Sequence, residues 1–138
     1  MKIAIGSDHG GFAMKEYLKT QPNIEWVDVG TYNEQSSDYP DYAKGVVDKI
    51  LQQHADYGVL ICKSGIGMSI AANRFSGIRA ALCFNQAMAQ SARAHNNANI
   101  ICLAAAYIQN SDAKDMILTF LNTPFSADTR HIHRLNKI

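Results

Sequence analysis

The residues most able to do chemistry lie together in Cys62-Lys63-Ser64-Gly65-Ile66-Gly67-Met68-Ser69, directly after the apolar run Gly58-Val59-Leu60-Ile61. A strand that ends on a cysteine, turns through two glycines and enters a helix brings backbone N–H groups close to an anion. The helix N-terminus adds partial positive charge, which also favours the thiolate of a neighbouring cysteine. Cys62 is thereby a candidate nucleophile or base. Elsewhere, Gly6-Ser7-Asp8-His9-Gly10-Gly11 is a second glycine-bearing polar turn, and His95-Asn96-Asn97 offers an imidazole beside amides.

Several chemistries fail on spacing. A dinucleotide fingerprint needs a third glycine where Ile70 stands, and no Gly-Lys-Ser/Thr run makes a P-loop. A cysteine phosphatase needs an arginine six residues after its nucleophile to fork the phosphoryl oxygens, and that position is Met68. Acyl transfer would pair Cys62 with an oriented histidine, and His95 followed by Asn96 and Asn97 superficially offers one. A cysteine and a histidine in one anion-lined crevice equally suit proton transfer to and from carbon and oxygen.

These residues need a frame. The chain has 138 residues, the size of a single domain over residues 1–138. With 47% hydrophobic and 18% charged residues it reads as globular. A net charge of +1 argues against nucleic acid or an anionic membrane as partner. Three cysteines without zinc or CxxC spacing, no signal segment and no long apolar span point to a cytoplasmic, reduced protein, and the lack of an Asp/Glu/His cluster with metal-ligand spacing to one without a metal.

Short β-branched runs at residues 2–5, 25–29, 57–61, 79–83 and 99–104 alternate with helical patterns at 12–20, 42–54, 68–73, 86–95, 111–121 and 129–137. This alternation predicts a three-layer α-β-α, Rossmann-like sandwich around a five-stranded parallel sheet, strand order 2-1-3-4-5. In that order the loops after strands 1 and 3 flank the switch point where ligands bind. Asp8–Gly11 and Cys62–Gly67 therefore converge, and His95 is expected on the same sheet edge as Cys62. Asp8 also reads as a helix N-cap. Cys83 and Cys102, inside strands, read as structural thiols.

The two turns, with Ser37-Asp38-Tyr39-Pro40, the run from Ile61 to Asn73, Gly77-Ile78-Arg79-Ala80-Ala81, His95–Asn99 and Arg130-His131-Ile132-His133-Arg134, resemble the type B ribose-5-phosphate isomerases over essentially the whole chain. The resemblance implies a metal-independent aldose–ketose isomerase that interconverts ribose 5-phosphate and ribulose 5-phosphate through a cis-enediolate. The related alternatives are a hexose 6-phosphate such as allose or galactose 6-phosphate, or a protein that binds a sugar phosphate without turnover. It casts Cys62 as the base. Backbone amides of Lys63, Ser64, Gly65, Ile66 and Gly67 become an anion hole assisted by the Ser64 hydroxyl. His95 becomes the ring-opening residue, with Asn96 near C1 and C2. Asp8 and Tyr39 would bind sugar oxygens, and His9, Arg130 and Arg134 the phosphate. It also implies a homodimer, or a tetramer built from it, with shared sites. Two positions depart from the family pattern: Lys63 follows the cysteine where glycine is usual, and Ala106 stands where an arginine is common.

Overall fold

The computed structural model describes residues 1–138. Five strands, β1 (Lys2–Ser7), β2 (Glu25–Asp28), β3 (Tyr57–Cys62), β4 (Ala80–Leu82) and β5 (Ile100–Ala104), pair in parallel throughout. The helices are α1 (Phe12–Lys19), α2 (Tyr39–Leu51), α3 (Ile66–Ala72), α4 (Gln86–Ala94), α5 (Asn110–Asn122) and α6 (Thr129–Leu135). A single 3-10 turn, His9–Gly11, sits between β1 and α1.

Alternation along the strands makes two cores. Ile3, Ile5, Val59, Ile61, Ile101 and Leu103 face one side with Met14 and Leu18 of α1, Ala89 of α4 and Phe120 of α5. Ala4, Leu60, Cys62, Ile100 and Cys102 face the other, with Val46 of α2 and Met68 of α3. The period of two in a strand directs successive side chains to opposite faces. Each such aliphatic side chain contributes about 1.5–3 kcal/mol of transfer free energy. The side chain of Cys62 thus faces the α2/α3 layer.

The observed strand order is 2-1-3-5-4, correcting the expected 2-1-3-4-5. Burial explains the exchange. All five residues of β5 are buried, as a strand covered on both faces requires, whereas β4 has three residues, two of them only partly buried. The shorter, less buried strand takes the edge. β5 therefore lies beside β3, and the chain after β5 runs next to the Cys62 loop: Ala105 N–H donates to Cys62 O and Ala106 N–H to Lys63 O, both at 3.0 Å.

Under the segment joining β2 to α2 lies an ion cluster centred on the buried Lys15. Lys15, fully buried, donates to both Asp28 oxygens at 2.9 and 2.7 Å and to Glu16 at 2.8 Å. Lys19 reaches Asp28 at 2.6 Å, and Asp28 also accepts the Gly30 N–H at 2.9 Å. Burial by itself would raise the Asp28 carboxyl. The hydrogen bonds from Lys15, Lys19 and Gly30 outweigh it and hold the group below its ordinary 3.8. A carboxyl depressed in the fold contributes stability above its unfolded pKa and loses it as pH falls through the folded one. The melting temperature of the wild type is expected to fall as pH drops below 3.8. Asp28→Asn should flatten that acid limb and, by leaving the buried Lys15 with Glu16 as its one carboxylate partner, cost about 1–3 kcal/mol near neutrality. Melting curves from pH 3 to pH 7 check both; an unchanged acid slope would show that Asp28 carries none of it.

Candidate active site

At the carboxyl edge of the sheet the first two expected turns do meet. Asp8, buried at the end of β1, accepts the N–H groups of Gly10 and Gly11 at 2.9 and 3.2 Å, so its N-cap role is real. That bonding uses one carboxylate oxygen and leaves the other free for a ligand. Gly11 lies against the end of β3 so closely that a Cβ there would stand 2.6 Å from Ile61 O. Gly10 lies against Lys63, whose Cβ and N would both be 3.3 Å from an added Cβ. These close approaches seat the Asp8 turn directly on the cysteine loop.

In that loop the Cys62 Sγ accepts the Gly65 N–H at 3.1 Å, and Cys62 is buried. Gly65 makes the geometry possible with φ +72°, a left-handed conformation that side-chain-bearing residues rarely adopt. Ser64 Oγ accepts the Ile66 N–H at 3.3 Å. The amides of Lys63, Ser64 and Gly67 have no acceptor within the chain. A thiol, a hydroxyl and a fan of unspent donors therefore share one turn, which is what an oxyanion adjacent to a base requires.

Two further side chains close on this turn. Tyr39, at the start of α2, lays its phenol ring over Gly67, where an added Cβ would meet Cζ at 2.7 Å. His9 is clasped by Ser37: its N–H donates to Ser37 Oγ, and its Nδ1 accepts the Ser37 N–H, both at 3.2 Å. With Nδ1 accepting, the neutral ring carries its hydrogen on Nε2, which is free to donate outward. Ser37 is a site residue that sequence reasoning passed over. It stood inside a quoted motif, but only the fold brings it to His9, 28 residues away. Lys63 is exposed and has no ion-pair partner, standing between the Asp8 turn and Ala106.

His95 is not there, which corrects the expectation that it shares the Cys62 edge. The helix after a parallel strand must run back, so α4 ends at the opposite edge of the sheet. Arg93, two residues before His95, donates to the hydroxyl of Tyr57 at 3.0 Å, and Tyr57 opens the strand that Cys62 closes. The length of β3, about 16 Å at the usual rise, lies between them. Asn96 is beside His95, its carbonyl accepting from Arg79 Nε at 3.1 Å. Arg130 and Arg134 are exposed on α6, which docks on the end of α4: the rings of His95 and His131 stack with centroids 4.5 Å apart. The expected site thus falls into two halves. Asp8, His9, Tyr39 and the 62–67 loop form one, and His95, Asn96, Arg130 and Arg134 form the other.

The other two cysteines are structural. Burial pushes the Cys83 thiol up to about 12 and the Cys102 thiol higher still, so neither ionises near neutrality. No helix is long and apolar enough to cross a membrane.

Comparison with known proteins adds three likenesses. The family model described as Ribose/Galactose Isomerase matches residues 3–138. A crystal structure of a ribose 5-phosphate isomerase from Thermotoga maritima superposes with a TM-score of 0.96 at 53% identity, covering 99% of this chain and 95% of that one. The ribose-5-phosphate isomerase B of Escherichia coli is 36% identical over 99% of this chain and 93% of its own.

Proposed function

The chain belongs to the ribose/galactose isomerase family, and from that premise we propose that it interconverts ribose 5-phosphate and ribulose 5-phosphate. Residues 1–138 act as one isomerase domain. The observation that carries the reading is the shared turn in which the buried Cys62 thiol stands beside unspent backbone amides, with Asp8 and Tyr39 facing it.

The chemistry follows from that arrangement. The thiolate of Cys62 removes the proton from C2 of the open-chain aldose, breaking the C–H bond and leaving a cis-enediolate. The unspent amides of Lys63, Ser64 and Gly67, with the Ser64 hydroxyl, hold the negative oxygen, while the Gly65 N–H supports the Cys62 sulfur and the Ile66 N–H the Ser64 hydroxyl. Fixed donors of this kind contribute about 3–4 kcal/mol each where they have been removed singly. The Cys62 thiol then returns the proton to C1, while one proton passes from O2 to O1, which completes the ketose. Asp8 and Tyr39 hold sugar hydroxyls, and His9 donates from Nε2 to the phosphate. Lys63, the one cation on this loop, adds a charge-assisted contact to the same anion.

The second half-site completes the first from another copy of the chain. A two-fold axis across the strands sets the carboxyl edge of one subunit against the amino edge of its partner, twice over. His95 and Asn96 of the partner subunit then reach the sugar, and Arg130 and Arg134 of the partner subunit reach the phosphate. The spacing of the two arginines, one helical turn apart, lets both grip one anion. Apolar residues left bare after β3, β4 and β5, among them Ile70 at 63% exposed and Tyr107 at 71%, supply surface for that contact. A cleft of about 600 Å³ between the end of α3 and α6 includes none of the reacting residues. That fits a crevice whose far wall is a second subunit. A reducing cytoplasm suits the three buried free thiols.

A coupled assay tests the substrate. kcat/KM on ribose 5-phosphate is expected to exceed that on allose 6-phosphate or galactose 6-phosphate by about tenfold or more, the usual discrimination for one extra carbon. Equal or better turnover of a hexose phosphate would overturn the pentose assignment, and binding without turnover of any of the three would overturn the isomerase.

A further inference from the structure

His131 is the one buried residue of α6; its neighbours on the helix are exposed or half-exposed. Its Nδ1 is 2.9 Å from Ser126 Oγ, and the Ser126 N–H donates to Ala94 O, the last residue of α4, at 3.0 Å. Ser126 Oγ also accepts the Asp128 N–H, and Asp128 O accepts the His131 N–H. A short self-bonded knot thus docks on the carboxyl end of α4 at two points, one of them the backbone next to His95. The other is the stack itself. The His131 ring lies 4.5 Å from the His95 ring with a tilt of 38°. His95 is exposed and makes no side-chain hydrogen bond, so the ring of His131 is the surface that limits its rotation.

We propose that His131 is a positioning residue for His95, holding its imidazole at the angle from which the partner's sugar ring is opened. The inference rests on the proposed isomerase reading and on the ring-opening role that the family resemblance implies for His95. In that step the C1–O4 bond of the furanose breaks, O1 loses a proton and becomes the aldehyde oxygen, and O4 gains one. The imidazole ends as it began, but it must face two oxygens in turn, which rewards a fixed plane. Misplacement of a catalytic group by about 1 Å costs about a hundredfold in rate. The charge state suits the task. Burial lowers the His131 pKa, as do His95 just after α4 and Arg130 and Arg134 on α6, with Asp128 the one opposing group. A neutral His131 is a stacking partner that does not repel a proton-carrying His95.

Two reactions separate positioning from general damage. Isomerisation of ribose 5-phosphate starts from a closed furanose. Deuterium exchange from D2O into C1 of ribulose 5-phosphate does not, because phosphate on O5 keeps that ketose acyclic and Cys62 alone does the exchange. His131→Ala is expected to lower kcat for isomerisation about tenfold to a hundredfold while exchange changes less than about threefold. His131→Phe, which keeps a ring to stack on, should recover most of the loss. Ser126→Ala, which removes only the clamp, should show a smaller defect of the same selectivity. Isomerisation within about twofold of wild type in His131→Ala would overturn the proposal, as would an equal loss in both reactions for all three variants. His95→Asn run alongside distinguishes the failures. If it too loses both reactions equally, the ring-opening role is wrong; if it separates them and the His131 variants do not, only the positioning role is.

Discussion

Mixing Cys62→Ala protein with His95→Asn protein is expected to return up to about one quarter of wild-type activity from two preparations that are each nearly inactive. The expectation comes from the two sheet edges. Cys62 closes β3, and His95 lies near the start of that strand, where Arg93 bonds Tyr57. No rearrangement of side chains spans about 16 Å of strand, so a site that needs both residues draws them from two chains. In a heterodimer of the two variants, one crevice holds intact Cys62 and the partner's intact His95, and the other holds neither. Half of the randomly exchanged dimers are of this kind and each has one working site, which gives the quarter. The measurement is turnover after co-incubation under conditions that allow subunit exchange, or after co-expression with two different tags. Activity no higher than the average of the separate variants would mean that each subunit works with its own His95, or that His95 is dispensable.

Cys62→Ala by itself is expected to lower kcat by about 10²–10⁴-fold, the range for loss of a general base. Its effect on stability should be small, about 1 kcal/mol, because a modest apolar volume is removed from a site at the sheet edge. The competing view of Cys62 is that of a small buried residue in the α2/α3 core, beside Cys102 and Met68. Cys102→Ala separates the two. It empties the same core layer at a thiol that burial keeps protonated, so activity should survive while stability falls. A Cys62→Ala protein with undiminished turnover would remove the proton-transfer mechanism. Parallel losses in both variants would show that the core, and not the thiol, was being measured.

Much of this was legible in the residues. The alternation of β-branched runs with helical patterns is local, and it led to five parallel strands with helices on both faces. Gly65 and Gly67 beside Cys62 pointed to a tight turn whose backbone N–H groups can approach an anion, because residues without a side chain let backbone crowd a ligand. Ser37 and His131 were not legible as site residues. Their roles consist of contacts to His9 and His95 made by distant parts of the fold, and neither has a spacing that marks it.

The sequence by itself determined the elements, their parallel sense and the meeting of the Asp8 and Cys62 turns, all of which follow from hydrophobic period and short connections. Tertiary structure decided which strand lies at the edge and where His95 goes. The first depends on the relative burial of β4 and β5, a comparison between segments competing for one central place. The second depends on direction: α4 must run back along the sheet, which carries its last turn to the amino edge whatever residues it bears. A pattern along a chain records which residues travel together, and the packed sheet records which end of it each one reaches.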